Sequence, residues 1–439
     1  MRFTPWATRL ALTLSLSATA FLTACGGGGD GDSNTQIRLL NATRSYAQLD
    51  LEVNTKAINS KVAYATAGEY GTVDTNNTAT KILESNVGTS VAAITPTLKG
   101  GTNYTQIVYG FAGAVRTALL EETETVPEAN KAKLLVMNLA PDAGALDVYV
   151  TTATDSLDTA TALTSNLQGG SGSGYIQINS GTFRVRVTGY NKRGADLRLD
   201  IPAITLDSAT VNTLILTASD GGVLVNGITM VQKGAVKNFA NTQSRVRTVA
   251  ALTAASTVGS TINGQQMFST AISPLISDYV TTASGASTLT TQVNGAPVTF
   301  TAPTLAAGKD YTLLVWGDAA APKLSVLDDD NRLPTVNGNV KVRLVNALPT
   351  TSTSLNVDFS AIATNVAPGT SSAVNNISST ASSQVDVTVP TNASSIYTNA
   401  TLAFPANSVF TFFAVPTTST TGTTTSPVPG MSALPRRER

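Results

Sequence analysis

The chain has 439 residues, 42% hydrophobic and only 13% charged, with 28 basic residues balancing 28 acidic ones. There is apolar material enough for real cores, and the zero balance offers no general field for nucleic acid or anionic lipid. Histidine is absent and cysteine occurs once, which excludes His-based triads, His metal sites, intrachain disulfides and Cys-based zinc sites.

At the N-terminus, Arg2 and Arg9 precede and flank an apolar run, Leu10 to Phe21, that ends in Leu22-Thr23-Ala24-Cys25. A basic start, a short apolar stretch and small residues are the order of a secretory signal. The run is shorter than the roughly 20 residues of a membrane-spanning helix. Its ending resembles the lipobox of bacterial lipoproteins. That resemblance implies cleavage before Cys25, lipidation of Cys25 and, with Gly26 following, sorting to the outer membrane of a Gram-negative cell. Residues 1–24 are therefore expected to be a lipoprotein signal peptide, and 25–35 a glycine-rich tether. Asp30, Asp32 and Asn34 imitate the start of a calcium loop, but Thr35 and Asn41 stand where that loop needs Gly and a bidentate Glu.

Four segments then open alike: IRLLNA at Ile37, LLVMNLAP at Leu134, VRTVAAL at Val246 and VRLVNALP at Val342. Asn41, Asn138 and Asn346 close three of these strands. A second strand follows as LDLEV (Leu49), LDVYV (Leu146) and LNVDF (Leu355), alternating apolar and polar residues as a half-buried strand does. The third copy, VGSTI at Val258, is weaker. A buried-looking late strand completes each unit: NYTQIVYG (Asn103), VNTLILTA (Val211), DYTLLVWG (Asp310) and VFTFFAVP (Val409). Units of about 100 residues with short strands and no sustained helical period predict an all-β chain of immunoglobulin-like antiparallel β-sandwiches. The expected division is 36–130, 131–243, 244–338 and 339–416, four beads in series, with 417–439 a Thr/Ser-rich flexible tail.

VKVRLVNALP (Val340), KAKLLVMNLAPDAGALDVYV (Lys131) and LSVLDDDNRLP (Leu324) resemble the bacterial domain of unknown function 4397 family. Arg38, Arg247 and Arg343 match its basic position and Asp50 and Asp147 its acidic one, whereas Leu135 and Asn356 depart. The resemblance implies an extracytoplasmic tandem β-sandwich and carries no functional residue.

Chemistry-bearing groups are few. A serine nucleophile would need a Lys or terminal-amine base, and GGSGSG at Gly169 has the wrong spacing for a nucleophile elbow and reads as a flexible loop. Carboxylate-only glycoside hydrolysis survives the composition, with Asp50 and Glu52, Glu121 to Glu124, and Asp328 to Asp330 as candidates. The i, i+2 pair Asp50/Glu52 is not maintained in the other units and reads as solvated. Asp328, Asp329 and Asp330 supply oxygens for calcium at a domain junction, against the simpler reading of a solvated acidic turn. Trp316, at a strand end, is either a core residue or an exposed stacking platform. Arg184 and Arg186 in FRVRV read as a solvated face. No cofactor is called for. The sequence thus predicts a non-enzymatic, lipid-anchored envelope protein that binds an extracellular glycan or protein ligand and no nucleic acid. A periplasm-facing spacer and a carboxylate-dependent carbohydrate-active enzyme are the alternatives.

Overall fold

The first unit shows how each repeat is built. Its opening strand Asn34–Asn41 pairs in parallel with the late strand Asn103–Tyr109, and a closing strand, Arg116–Glu121, runs antiparallel on the far side of the latter. The alternating strand Gln48–Val53 sits in a second sheet between Lys56–Ala63 and Thr80–Glu84. Its inward Leu49, Leu51 and Val53 meet Ile37, Leu39 and Val108 in one core. The computed structural model describes residues 33–390, 395–426 and 428–439. The signal segment, Cys25 and most of the tether lie outside the described residues.

The plan recurs. Opening strands Lys131–Leu139, Gln243–Leu252 and Asn339–Asn346 pair in parallel with late strands Thr210–Ala218, Asp310–Asp318 and Ser408–Pro416. The chain is therefore all-β, with four sandwich-like sheet pairs, but the expectation of wholly antiparallel sheets needs correction. Opening and late strands are separated by a long excursion through the second sheet, which is what a parallel pairing requires. In the third unit the weakly patterned segment forms Thr257–Ile262, paired on both sides.

The strand-ending asparagines are fully buried. Asn346 donates Nδ2 to the carbonyls of Thr351 and Val366, both at 2.8 Å, and accepts the N–H of Leu348 at 3.0 Å. Asn138 repeats this with Gly144, Leu167 and Ala140, and Asn41 bonds Val62 and Thr43. Each amide satisfies main-chain groups that leave the ladder where the chain turns to the other sheet. The third unit has Ala250 there, and Ser273 Oγ accepts the equivalent N–H, that of Leu252, at 2.7 Å.

The units are not separate beads. Late strands such as Ser408–Pro416 are buried along both faces, the pattern of strands covered on two sides. One face belongs to the unit's own core. The other meets the neighbouring unit. Val249, Ala251, Leu314 and Trp316 of the third unit pack on Val345, Ala347, Phe413 and Val415 of the fourth, and these are the same four positions of the repeat. Units one and two meet likewise: Ala42, Ile107 and Leu120 share a cluster with their equivalents Leu139, Ile215 and Met230. Each contact is isologous, as between the subunits of a two-fold dimer. The two pairs touch through the segment after Asp329. Arg332 lies over the Phe111 ring at 4.8 Å, and Leu333 donates its N–H to Asp142 Oδ2 at 3.2 Å. A Cβ on Gly222, whose φ is +89°, would stand 2.7 Å from the Arg332 backbone.

The expected flexible tail is also corrected. Met431–Arg437 is the closing strand of the fourth unit, paired antiparallel with Ser408–Pro416. The late strand needs a neighbour on that edge, and buried Ala433 fills the core behind it. The Thr/Ser-rich stretch is the connection between the two strands, so the fourth sandwich extends beyond residue 416.

Replacing Asn346 with Ala would leave three buried main-chain groups without a bond. It should cost about 2–4 kcal/mol in urea unfolding, whereas exposed Asn76→Ala should cost under about 0.5 kcal/mol.

Candidate functional site

One quartet of positions recurs at the inner sheets. In the first unit it is Arg38, Thr105, Glu122 and Tyr70. Arg38 Nε donates to Thr105 Oγ1 at 2.9 Å and its guanidinium stands 3.6 Å from Glu122. Tyr70 and Thr105 both donate to the same carboxylate. The third unit repeats it with Arg247, Thr312, Asp329 and Tyr279. The fourth has Arg343, Thr411 and Glu438, with Val374 in the Tyr place. In the second unit the charges are gone: Leu135 and Gln232 stand at the Arg and acid positions.

Between the third and fourth units the ion pairs cross. Arg343 donates to Asp329 of the third unit. Arg247 of the third unit forks onto both oxygens of Glu438 at 2.8 Å. All four side chains are almost completely buried. Burial alone would raise the Asp329 carboxyl, but Arg343 and Arg247 outweigh it and hold it below the usual range. Tyr279, whose ring lies 4.6 Å from the Arg247 guanidinium, is pushed well above an ordinary phenol by burial and by Asp329.

Outside this network a cleft of about 580 Å³ opens where the second, third and fourth units meet. The second unit contributes Tyr190, Lys192, Asp196 and Arg198, the third Arg245 and Asp278, and the closing strand and its end Arg436, Arg437, Glu438 and Arg439. Cations therefore outnumber carboxylates there. Arg198 pairs with Asp196, Arg245 with Asp310 and Arg436 with Asp278, and Glu438 is taken by Arg247. Lys192, Arg437 and Arg439 form no ion pair with a carboxylate side chain among the described residues; Arg437 Nε donates to the main-chain oxygen of Arg439 at 2.7 Å. Arg439 instead donates to the main-chain oxygen of Asp142. Burial, and then repulsion from Arg198 and Arg245, press its guanidinium down to about 10. Behind the cleft, burial pushes the Asp310 carboxyl up to about 6 against the pull of Arg245, and its Oδ1 has no hydrogen-bond partner.

The candidates read from sequence fall elsewhere. Asp50 accepts the N–H of Lys61 and the hydroxyl of Ser85. Asp147 likewise holds Ser165, Asn166 and Asn191, so the family's acidic position braces turns. Glu121 pairs with Lys99 and Glu124 with Lys133, while Glu122 is buried in the quartet.

The three calcium candidates diverge. Asp328 pairs with Lys309, Asp329 is buried against two arginines, and Asp330 binds Arg332 and Lys341 at 2.7 Å. These cations draw the Asp330 carboxyl down to about 2 despite its burial. The three carboxylates are thus not convergent, and only Asp328 is solvated, because alternation along the strand sends neighbouring carboxylates to opposite faces. No cluster of three or more metal-ligating residues forms among the described residues.

Trp316 is buried between the third and fourth units, its Nε1–H donated to Ser325 Oγ at 3.0 Å. Arg186 is buried, donating to Thr151 and Asp155, which corrects the solvated reading of FRVRV. GGSGSG is no loop: its residues from Ser171 on begin the strand Ser171–Asn179 against the second opening strand. Cys25 lies outside the described residues.

The profile of the Domain of unknown function (DUF4397) matches residues 35–149 and 244–353. These spans make up just over half of the chain, and it belongs to that family. Each match covers one odd-numbered unit and the opening of the unit it packs against. No curated protein matches. Among solved structures the chain is similar to a proposed cell adhesion protein of Bacteroides uniformis, at 12% identity over 46% of this chain and 97% of that one, with a TM-score of 0.21. A proposed cell adhesion protein of Bacteroides ovatus matches at 13% identity over 46% and 99%, TM-score 0.21. The family 26 carbohydrate-binding module of Eubacterium rectale Amy13K, solved with maltoheptaose, matches at 15% over 46% and 97%, TM-score 0.16. Scores of this size carry no argument about ligand or activity.

Two outcomes follow from the buried charges. Arg247→Leu alone leaves Glu438 buried without its fork and should cost about 3–5 kcal/mol. Adding Glu438→Gln, which removes the stranded carboxylate charge, should restore most of that loss in a double-mutant cycle of urea melts. Asp310 holds its proton longer in the folded chain than in the unfolded one. Its contribution to stability therefore falls as pH rises from about 4 to about 6, by on the order of 3 kcal/mol. Asp310→Asn should flatten that segment of the stability profile, measured between pH 4 and pH 7.

Proposed function

We propose that this protein is a non-enzymatic, lipid-anchored component of the bacterial cell envelope that binds a ligand outside the cytoplasm. The carrying observation is the cationic cleft at the meeting of three units. It is open to solvent and holds cations in excess of carboxylates. Of the carboxylates singled out as acid or base candidates, all but Glu52 are engaged by cations or by turn-bracing donors, which supports binding over glycoside hydrolysis. Cys25, following a lipobox-like Leu22-Thr23-Ala24, supplies the anchor in this reading, and the glycine-rich tether lets the packed units stand off the outer membrane. The units are proposed at 36–130, 131–243 and 244–338, with the opening strands of the first and third starting slightly earlier, at Asn34 and Gln243, and the fourth runs from 339 to the closing strand.

A second reading, a periplasm-facing spacer, is favoured by the isologous packing, which makes two stiff blocks of four sandwiches. Protease shaving of intact cells separates the two. Loss of an antibody epitope on the folded units places them outside the cell. Cleavage only after permeabilisation supports the spacer. Cys25→Ser should abolish incorporation of labelled palmitate and release the protein from the membrane fraction. Continued acylation of that variant would overturn the anchor.

A further inference from the structure

We infer that the cleft between the second, third and fourth units is a binding site for an acidic sugar, a pyranose carrying a carboxylate or a sulfate. This rests on the ligand-binding reading above and names the ligand's chemistry. Three features support it. First, the cleft concentrates positive charge in a chain whose net charge is zero. General attraction to polyanions needs a basic surface, and here the excess is local. Second, three of its cations, Lys192, Arg437 and Arg439, form no ion pair with a carboxylate side chain among the described residues. The Arg439 guanidinium is largely withdrawn from water, close to Arg198 and Arg245, and has one main-chain oxygen as its acceptor. A desolvated guanidinium with spare N–H donors is matched by a planar or tetrahedral oxyanion, which accepts paired bonds from it. Third, Tyr190 lines the same cleft and is 43% exposed. An open phenol ring next to cations offers an apolar face for a sugar ring and a hydroxyl for its edge.

Size narrows the class. A volume of about 580 Å³ falls in the range of small-ligand sites, enough for a short oligosaccharide. A nucleic-acid strand would need a longer basic track with several stacking aromatics, whereas Tyr190 is the one exposed aromatic among the residues lining this cleft. The site is composite, because Tyr190 and Lys192 come from the second unit, Arg245 from the third and Arg439 from beyond the closing strand of the fourth. It exists only when the two pairs are docked.

The test uses the full chain purified in detergent and isothermal titration with trigalacturonate, a sulfated heparin disaccharide, and neutral maltotriose. Saturable binding of either acidic sugar, and none of maltotriose, is expected, and the tighter acidic ligand identifies the charged group. Lys192→Gln combined with Arg439→Gln should weaken that binding about 10-fold or more, and Tyr190→Ala should weaken it with the charges intact. Thermal melts of each variant, unchanged from the parent, show that the fold is kept. Equal affinity for inorganic sulfate or for a duplex oligonucleotide would overturn the proposal, as would acidic-sugar binding that the double variant leaves untouched. Cell-surface shaving is independent of this result. A protein exposed on cells but blind to acidic sugars removes this inference alone, whereas sugar binding by a protein confined to the periplasm removes only the surface reading.

Discussion

The exchange of buried charges between the third and fourth units is the constraint on which the architecture turns. Arg343 is satisfied by the acid of the unit before it, and Arg247 by the acid at the far end of the chain. Arg343 forms no ion pair within its own sandwich among the described residues, and Arg247 has there only Asp329, 3.8 Å away and shared with Arg343. A guanidinium withdrawn from water without a carboxylate costs several kcal/mol, so each unit needs its neighbour in register before its inner sheet can become dry. The Thr at the matching place on each late strand takes Nε and fixes which edge of the guanidinium remains for the acid. The apolar contact around it, from Val249 to Val415, then falls into place by symmetry.

That constraint explains the otherwise odd ending of the chain. A Thr/Ser-rich stretch that buries little apolar area is followed by a strand and a buried acid. Ordering such a connection costs conformational entropy. The closing strand offsets it by completing the sheet, delivering Glu438 to Arg247 and placing Arg439 at the cleft. The N-terminal pair solves the same problem with less charge. Arg38 keeps Glu122 from its own unit, and the second unit, with Leu135 and Gln232, presents neutral groups. Gln232 bonds both main-chain groups of Glu124, and the N–H of Lys233 is donated to Glu122.

Much of the fold was legible because strand chemistry is local. Alternation in LDLEV and LDVYV gave the second strands, and four similar openings gave the repeat. The asparagines marked strand ends correctly, since an amide is the one neutral side chain that can serve carbonyls and an N–H at once. The parallel pairing and the packing of units were not read, although a physical sign was present. Strands such as TLILTA and FTFFAVP are apolar on both faces, which a lone sandwich open to solvent does not require. The tail was misjudged because composition over 417–430 masked the short alternation of Met431, Ala433 and Pro435. The cleft was invisible for a different reason. Tyr190, Arg245 and Arg439 are far apart in sequence and carry no motif. Their convergence follows only from how two pairs of sandwiches dock. The clue that did exist was arithmetic: Arg436, Arg437 and Arg439 share a single acidic neighbour in sequence, Glu438.

The difference between the two pairs also bears on which units meet. Were the second unit to face the third, Arg247 would find Gln232 where Glu438 now stands, and Asp329 would find Leu135 where Arg343 now stands. Arg247 would then be left with Asp329 of its own unit, 3.8 Å away, as Arg38 is left with Glu122 where the first unit faces the second. The crossed exchange joins the third unit to the fourth, while the apolar positions, nearly interchangeable among the units, supply adhesion without choice. An ionic exchange that adds little net stability over an apolar one thus ties the third unit to the fourth, and the strand that delivers Glu438 to Arg247 also brings Arg439 to the cleft.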